Sequence, residues 1–314
     1  MGLTTPEKVG ASTARNVTSG LTKHGLDIRA KLVEFILIAM LALSLLVLLT
    51  LIVDLVNRSW SVWTDRPGDF LTTNLNSQSA ADAGIGQAIR GTILICLVVI
   101  VVAFPLGIAC AVYLEEYAGS SWFARITRVN VRNLAGVPSI VYGLLGLAIF
   151  VQALSGWNGG RNVFAGGLAI SALVLPIVVI TTSEALRAVP RSIREGAFGV
   201  GATEWETVRS HVLPSAAPGI LTGTVLSLAR AAGEAAPILL VGAATGLLRT
   251  GDQNLWEQLQ GPFTALPVAI FSYARQPGDD FRSLTAAASL VLLLAVLLMN
   301  AVAIWLRNRY EKKW

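Results

Sequence analysis

Apolar residues in this chain fall in long unbroken runs separated by short charged stretches, without the alternation or three-to-four spacing of a soluble domain. Residues 35–53 form the first run. Residues 92–114 form the second, with Pro105 and Gly107 placed to bend it. No charge occurs between Arg132 and Arg161, which marks a third, and 162–183 is a fourth. The stretch 212–248 holds a fifth, interrupted by Arg230 and Glu234, and 284–306 is a sixth. A bilayer core of ~30 Å requires roughly 20 apolar residues of helix. In lipid the backbone must satisfy its own hydrogen bonds, so each run predicts a helix. The expected fold class is therefore an all-α membrane protein with six transmembrane helices. The expected organisation is an arm at 1–31, a first transmembrane helix at 32–56 and an extracytoplasmic loop at 57–89. A membrane domain at 90–307, with a cytoplasmic loop at 184–214, and a tail at 308–314 follow. There is no internal repeat or low-complexity tract. The first run is too long for the core of a signal peptide and no convincing cleavage site follows it, so it reads as a retained span.

Composition agrees. The 314 residues are 54% hydrophobic and 14% charged, with mean hydropathy +0.64, against roughly 25% charged in a soluble domain. The net charge of +5 does not indicate nucleic acid, because the basic residues flank apolar spans and form no continuous stripe. Their distribution sets orientation instead. One side carries sixteen Lys and Arg, in the N-terminal arm, at Arg125, Arg128 and Arg132, in the loop with Arg187, Arg191, Arg194 and Arg209, and at the C-terminal tail; the other carries seven. The positive-inside rule puts both termini in the cytoplasm. Cys96 and Cys110 lie fourteen residues apart on one span, too far along a straight helix to pair, and read as small apolar residues. His24 reads as a polar residue of the arm. The outer stretches 57–89 and 249–283 are polar and aromatic. Trp256, Phe263, Pro267 and Tyr273 there read as an interfacial belt or as a surface for an extracytoplasmic partner.

The loop 184–214 is more organised than a connector. Ser192 with Glu195, and Thr203 with Glu206, each have capping-box spacing. Gly201 stands where the first helix would end in left-handed geometry, and Pro214 is placed to stop the second. Two short helices with a glycine corner are expected. At these residues the chain resembles the binding-protein-dependent ABC importer permeases, whose loop pattern is EAA, three residues, Gly, nine residues, then I-x-L-P. Here it reads Glu195-Gly196-Ala197, Gly201, then His211-x-Leu213-Pro214; Gly196 and His211 depart from the pattern while the spacing is intact. The resemblance implies a type I ABC importer permease fold. It also implies that the loop, through Glu195, Gly196, Ala197, Gly201, the helix around Trp205, Leu213 and Pro214, docks into a cytoplasmic ATPase and relays its closure.

The fifth span holds the chemistry. Arg230 lies 16 residues beyond Pro214, roughly 24 Å at 1.5 Å per residue, a depth at which an Arg costs ~2.5–3.5 kcal/mol. Glu234 at i+4 is expected on the same helical face, so the pair must look into the bundle or a water-filled path. It reads either as a structural ion pair or as a pathway site, where a guanidinium fork suits a tetrahedral oxyanion such as phosphate. Pro138, Ser139 and Tyr142 offer a kink and hydroxyls to an anion, or serve only packing. The stretches 134–150, 229–242 and 261–274 together resemble the PstA-type permeases of phosphate-specific ABC transporters, from about residue 85 to the C-terminus. That resemblance implies a bacterial plasma-membrane permease with Arg230 and Glu234 affecting phosphate passage. It further implies a companion PstC-type permease, two PstB-type ATPase subunits and a PstS-type phosphate-binding protein outside.

Other chemistries find no support. The chain lacks G-x-x-x-x-G-K-[ST] and Gly-x-Ser-x-Gly, so ATP hydrolysis is expected in a partner and neither nucleotide nor other cofactor on this chain. No His, Cys, Asp and Glu cluster has metal spacing. The remaining alternatives are a permease for another oxyanion or small solute, and a non-conducting scaffold or phosphate-sensing subunit.

Overall fold

The computed structural model describes residues 28–119, 121–243 and 255–310. The expected arm, with His24, thus lies almost wholly outside the described residues, as does the end of the tail. Every regular element described is helical. The first is α1 (Ile28–Asp65), followed by α2 (Pro67–Thr72) and α3 (Gly86–Val112), which runs on into a π-helical turn at Tyr113–Tyr117. Next come α4 (Trp122–Ala135), α5 (Ser139–Gly146) with a π-turn at Leu147–Ala153, α6 (Ser155–Asn158) and α7 (Val163–Arg187). The remainder is α8 (Arg191–Gly199), α9 (Glu204–Thr207), a π-turn at Val208–Val212, α10 (Leu213–Gly233), α11 (Ala236–Val241), α12 (Leu255–Leu259), α13 (Leu266–Ala274) and α14 (Asp279–Tyr310).

Five of the expected spans are helices long and apolar enough to cross a bilayer. The sixth, between Arg132 and Arg161, is not one straight helix: Trp122–Ala135 and Ser139–Ala153 meet at 102°. Pro138 has no N–H to donate and biases Val137 away from helical geometry, so the chain turns there. The first helix also continues to Asp65, nine residues past the expected boundary at 56.

Contacts divide the chain into a unit ending at Asp54 and a second unit from Leu55 onward. In the first, the large apolar side chains of α1 stand exposed, as lipid-facing residues do. In the second, α7 is the most enclosed helix and supplies Val163, Ala165, Ala169, Ile170, Leu173, Val174 and Val178 to the main apolar core. It lies close against α3 because glycines face it. A Cβ on Gly107 would come within 2.7 Å of Val178, and one on Gly167 within 2.5 Å of Val98. Small residues at such crossings let helix backbones approach in lipid, where van der Waals packing replaces the hydrophobic effect as the force between helices.

A second core joins α2, the start of α3, α13 and the start of α14. Tyr273 donates from its hydroxyl to the Gly84 carbonyl at 2.6 Å, and the Leu266 amide donates to Thr92 Oγ1 at 2.9 Å. Phe263 and Tyr273 are almost fully buried and Pro267 is buried too. They are neither belt nor partner surface, since the chain re-enters at α13 and encloses them. Of the four residues expected at an interface, only Trp256 is exposed.

Gly167→Leu is expected to destabilise the fold by about 1–3 kcal/mol, because the side chain must displace Val98 in a packed crossing. Thermal unfolding in detergent should show the loss, and Gly156→Ala, where nothing lies within 4 Å, should not.

Candidate functional site

The loop folds into two short helices around a glycine corner, as expected, but with different ends. α8 closes in a Schellman motif: the Ala202 amide donates to Ala197 O at 3.1 Å and the Gly201 amide to Phe198 O at 3.0 Å. Gly201 sits at φ +86°, where an L side chain is strained. Thr203 and Glu206 form the expected capping box, each side chain accepting from the other's backbone N–H at 3.3 and 2.9 Å. The Thr203 N–H and hydroxyl also hold the Glu206 carboxyl below its ordinary range. A depressed carboxylate pKa stabilises above its unfolded value, so this cap persists at neutral pH and weakens as pH falls through the acid range.

Two expected ends do not form. Ser192 makes no cap; α8 starts two residues earlier, with Pro190 in the N-cap position, whose fixed φ already sets the entry. Nor does Pro214 stop the second helix. Glu204–Gly233 runs as one continuous helix, with the π-turn at Val208–Val212 just ahead of Leu213 and Pro214. Its wider coil makes room for the ring. Ser215 Oγ then donates to the His211 carbonyl at 2.6 Å.

The corner shows an apolar face to the outside: Phe198 is 49% exposed, Val200 85% and Trp205 57%. Glu195 and Gly196 are exposed beside it, while Ala197 is buried and Leu213 half-buried. Nothing lies within 4 Å of a Cβ built on Gly196, so the alanine of the family pattern would fit there.

What holds this loop to the spans lies outside every expected site residue. Glu115 and Glu116 stand in the π-turn at the end of α3. Glu115 accepts from Arg187 Nε and Nη2, both at 2.8 Å, and Glu116 from Arg194 Nε at 3.0 Å and Nη2 at 2.6 Å. Both pairs are bidentate, the strongest and most directional carboxylate contact. Arg194 also donates to the carbonyls of Leu186 and Val189, each at 3.0 Å, and so caps the C-terminal end of α7 while belonging to α8. Its guanidinium is pushed to an even higher pKa by the hydrogen bonds it donates to Glu116. Below the clasp lies an apolar cluster including Leu114, Leu186, Val189 and Val212, with Ile193 and Leu213 packed against it. One signal in the sequence was available: two consecutive acids at the basic end of a span, facing arginines seven residues apart.

Deeper in the fifth span, Arg230 Nε and Glu234 Oε1 lie 3.5 Å apart. The pair forms, but not on one helix. α10 ends at Gly233, and Glu234 is extended (φ −78°, ψ 120°) before the chain resumes as α11. Nor do both residues look into this chain's own core. The Arg230 side chain is 60% exposed and that of Glu234 18%; Arg230 continues a line of exposed positions with Gly219, Leu226 and Gly233. Tyr142 is buried on α5, and its hydroxyl donates to Leu134 O at 2.9 Å, bracing the bend after α4. Ser139 is half-buried at the start of α5, following Pro138.

With this geometry in view, the likenesses to known proteins are specific. The family model described as binding-protein-dependent transport system inner membrane component matches residues 103–314. The chain is 37% identical over 225 residues to the phosphate transport system permease protein PstA of Yersinia pestis, covering 72% of each. It is 35% identical over 241 residues to that of Xylella fastidiosa, covering 76% of this chain and 80% of the other. Among solved structures, a chain of a bacterial alginate ABC transporter superposes with TM-score 0.62 at 18% identity, over 91% of this chain and 96% of that one.

Two substitutions in the loop should act with opposite sign. Gly196→Ala is expected to stabilise α8 by about 0.5–1 kcal/mol through helix propensity, and Gly201→Ala to cost about 1–2 kcal/mol through backbone strain alone. Amide hydrogen exchange across 191–207 reads both. Arg194→Ala, which leaves the carboxylate of Glu116 largely enclosed without its partner, should cost about 2–3 kcal/mol. A double-mutant cycle with Glu116→Ala, followed by thermal unfolding, should return a coupling above ~1 kcal/mol.

Proposed function

The chain belongs to the family of binding-protein-dependent transport system inner membrane components, and on that premise we propose how it works as one half of an ATP-driven route for inorganic phosphate. It is a permease subunit of a phosphate importer, a non-enzymatic multi-pass protein of the bacterial plasma membrane. The finer reading concerns sidedness, partners and path.

The excess of Lys and Arg around α4, α8 and the tail assigns that side to the cytoplasm. The corner of Phe198, Val200 and Trp205 then faces the ATPase. Exposed aromatics rimmed by polar residues are what a protein interface uses, and two PstB-type subunits would accept this loop and its counterpart on a PstC-type permease. A PstS-type protein would deliver phosphate from outside. ATP-driven closure of the ATPase pair moves the corner, and the Glu115–Arg187 and Glu116–Arg194 pairs carry α3 and α7 with it.

The observation that carries the path is the position of Arg230: deep in a span, beside a break in the helix, and 60% exposed from its own chain. An Arg turned to lipid at that depth costs ~2.5–3.5 kcal/mol on the lenient scale. Non-helical backbone is tolerated there only against protein or water. The exposed face of α10 therefore meets the companion permease across a wet path. Arg230 offers its fork to phosphate there, while Glu234 holds the guanidinium and tempers its grip.

In the complex reconstituted with its ATPase and companion permease, Arg230→Ala should cut radiolabelled phosphate uptake on the order of 10- to 100-fold while ATP hydrolysis persists, the loss of one charge-assisted contact. Uptake at the wild-type rate would remove Arg230 from the path.

A further inference from the structure

We propose that α4 is an in-plane helix that binds anionic phospholipid, with its aromatic face sunk in the leaflet and Arg125 and Arg132 on the headgroups. Three observations converge on it. The first is direction. α4 meets the following helical segment at 102°, and that segment packs into the bundle, where a Cβ on Gly146 would come within 2.6 Å of Ala169 on α7. A helix perpendicular to a span lies along the membrane surface.

The second is depth. Arg128 donates to the carbonyl of Leu114 and lies 3.7 Å from Glu115, so α4 is pinned at the level where α3 ends. Glu115 in turn holds Arg187, the last residue of α7. Two spans end at this height, which is where the hydrocarbon gives way to headgroups.

The third is the distribution of side chains around the helix. Ala124 is fully buried, and Arg128 and Val131 are half-buried on the same side. Trp122 (69%), Ile126 (46%) and Val129 (53%) share the opposite face, with Phe123 (61%) next to it. Arg125 and Arg132 are exposed on the flank between those faces, and neither has an ion-pair partner among the described residues. Arg132 also borders a small recess shared with Arg128, Arg187, Glu115 and Glu184, whose balance of charge is positive. A Trp and Phe face flanked by unpaired arginines is the pattern of a helix seated at an anionic interface. A protein partner on this face would leave the two arginines facing apolar contacts without acids of this chain to match. The inference rests on the membrane reading and is independent of what is transported.

The test uses the complete complex in nanodiscs of phosphatidylcholine with and without phosphatidylglycerol. Brominated lipid quenches tryptophan, and the difference between wild type and Trp122→Phe isolates the signal of Trp122. The expected result is quenching by both lipids, with brominated phosphatidylglycerol favoured on the order of 25-fold over phosphatidylcholine, since each of the two Arg near an anionic surface contributes about a factor of five. Arg125→Gln with Arg132→Gln should abolish the preference and leave quenching by brominated phosphatidylcholine intact. Equal quenching by the two lipids in the wild type overturns the anionic assignment. Absence of any Trp122 signal overturns the seat in lipid and marks the face as a protein contact. Phosphate uptake, measured on the same samples, fails or persists separately from either result.

Discussion

The structure depends on a close crossing of two helices that only glycine permits. α3 and α7 approach at Gly107 and Gly167 so nearly that a single Cβ at either would collide with a valine of the other. In lipid no hydrophobic force drives such an approach, because lipid tails are as apolar as the side chains; what remains is the dispersion gained at short distance. Once the two are locked, their ends are fixed relative to each other. One end of the pair carries Glu115 and Glu116 beyond α3 and Arg187 at the close of α7. The loop helix α8 adds Arg194, whose five donors reach one carboxylate and two carbonyls. The ion pairs therefore do not create the geometry of this end. They inherit it from the crossing and extend it to a loop that would otherwise be held by a few apolar contacts.

Both chain segments at this end contain a π-turn. Tyr113–Tyr117 carries the two consecutive acids that pair with arginines on different helices. Val208–Val212 lets the second loop helix run through Pro214 into the span without a break. The corner at Gly201 is thus continuous with α10 and, 29 residues on, with Arg230. A displacement of the corner has a rigid helical route to the position where the helix ends.

Much of this was legible from residue order. Runs of apolar residues located the spans because lipid leaves the backbone no alternative to the helix, and Gly201 with the Thr203–Glu206 box located the corner because those motifs are satisfied by neighbours in sequence. What escaped was decided by neighbours in space. Pro214 has the residue type of a stop, yet the upstream π-turn accommodates it. Ser192 has the spacing of a cap, yet Pro190 starts the helix first. Phe263 and Tyr273 have the composition of an interface belt, yet re-entry at α13 buries them. Glu115 and Glu116 drew no notice, since their partners stand 72 and 78 residues away. Arg230 and Glu234 are legible as a pair, but neither the break at Gly233, which takes Glu234 off that helix, nor the outward aim of Arg230 is visible in their spacing.

Under the proposed function, that outward aim bears on why such a chain would work with a companion. A single-chain conduit would be expected to aim its intramembrane charge inward, where other helices share the burden of desolvation. Here Glu234 is mostly enclosed while Arg230 projects from α10 along a line of exposed positions that includes two glycines. Of these, Gly233 lies beside the projecting charge with nothing within 4 Å of a Cβ built on it, which leaves room for an incoming surface or for water. The cost of an exposed Arg at that depth is offset only when something polar covers it. In this reading the unmet half of the site on this chain is the reason the route requires a second one.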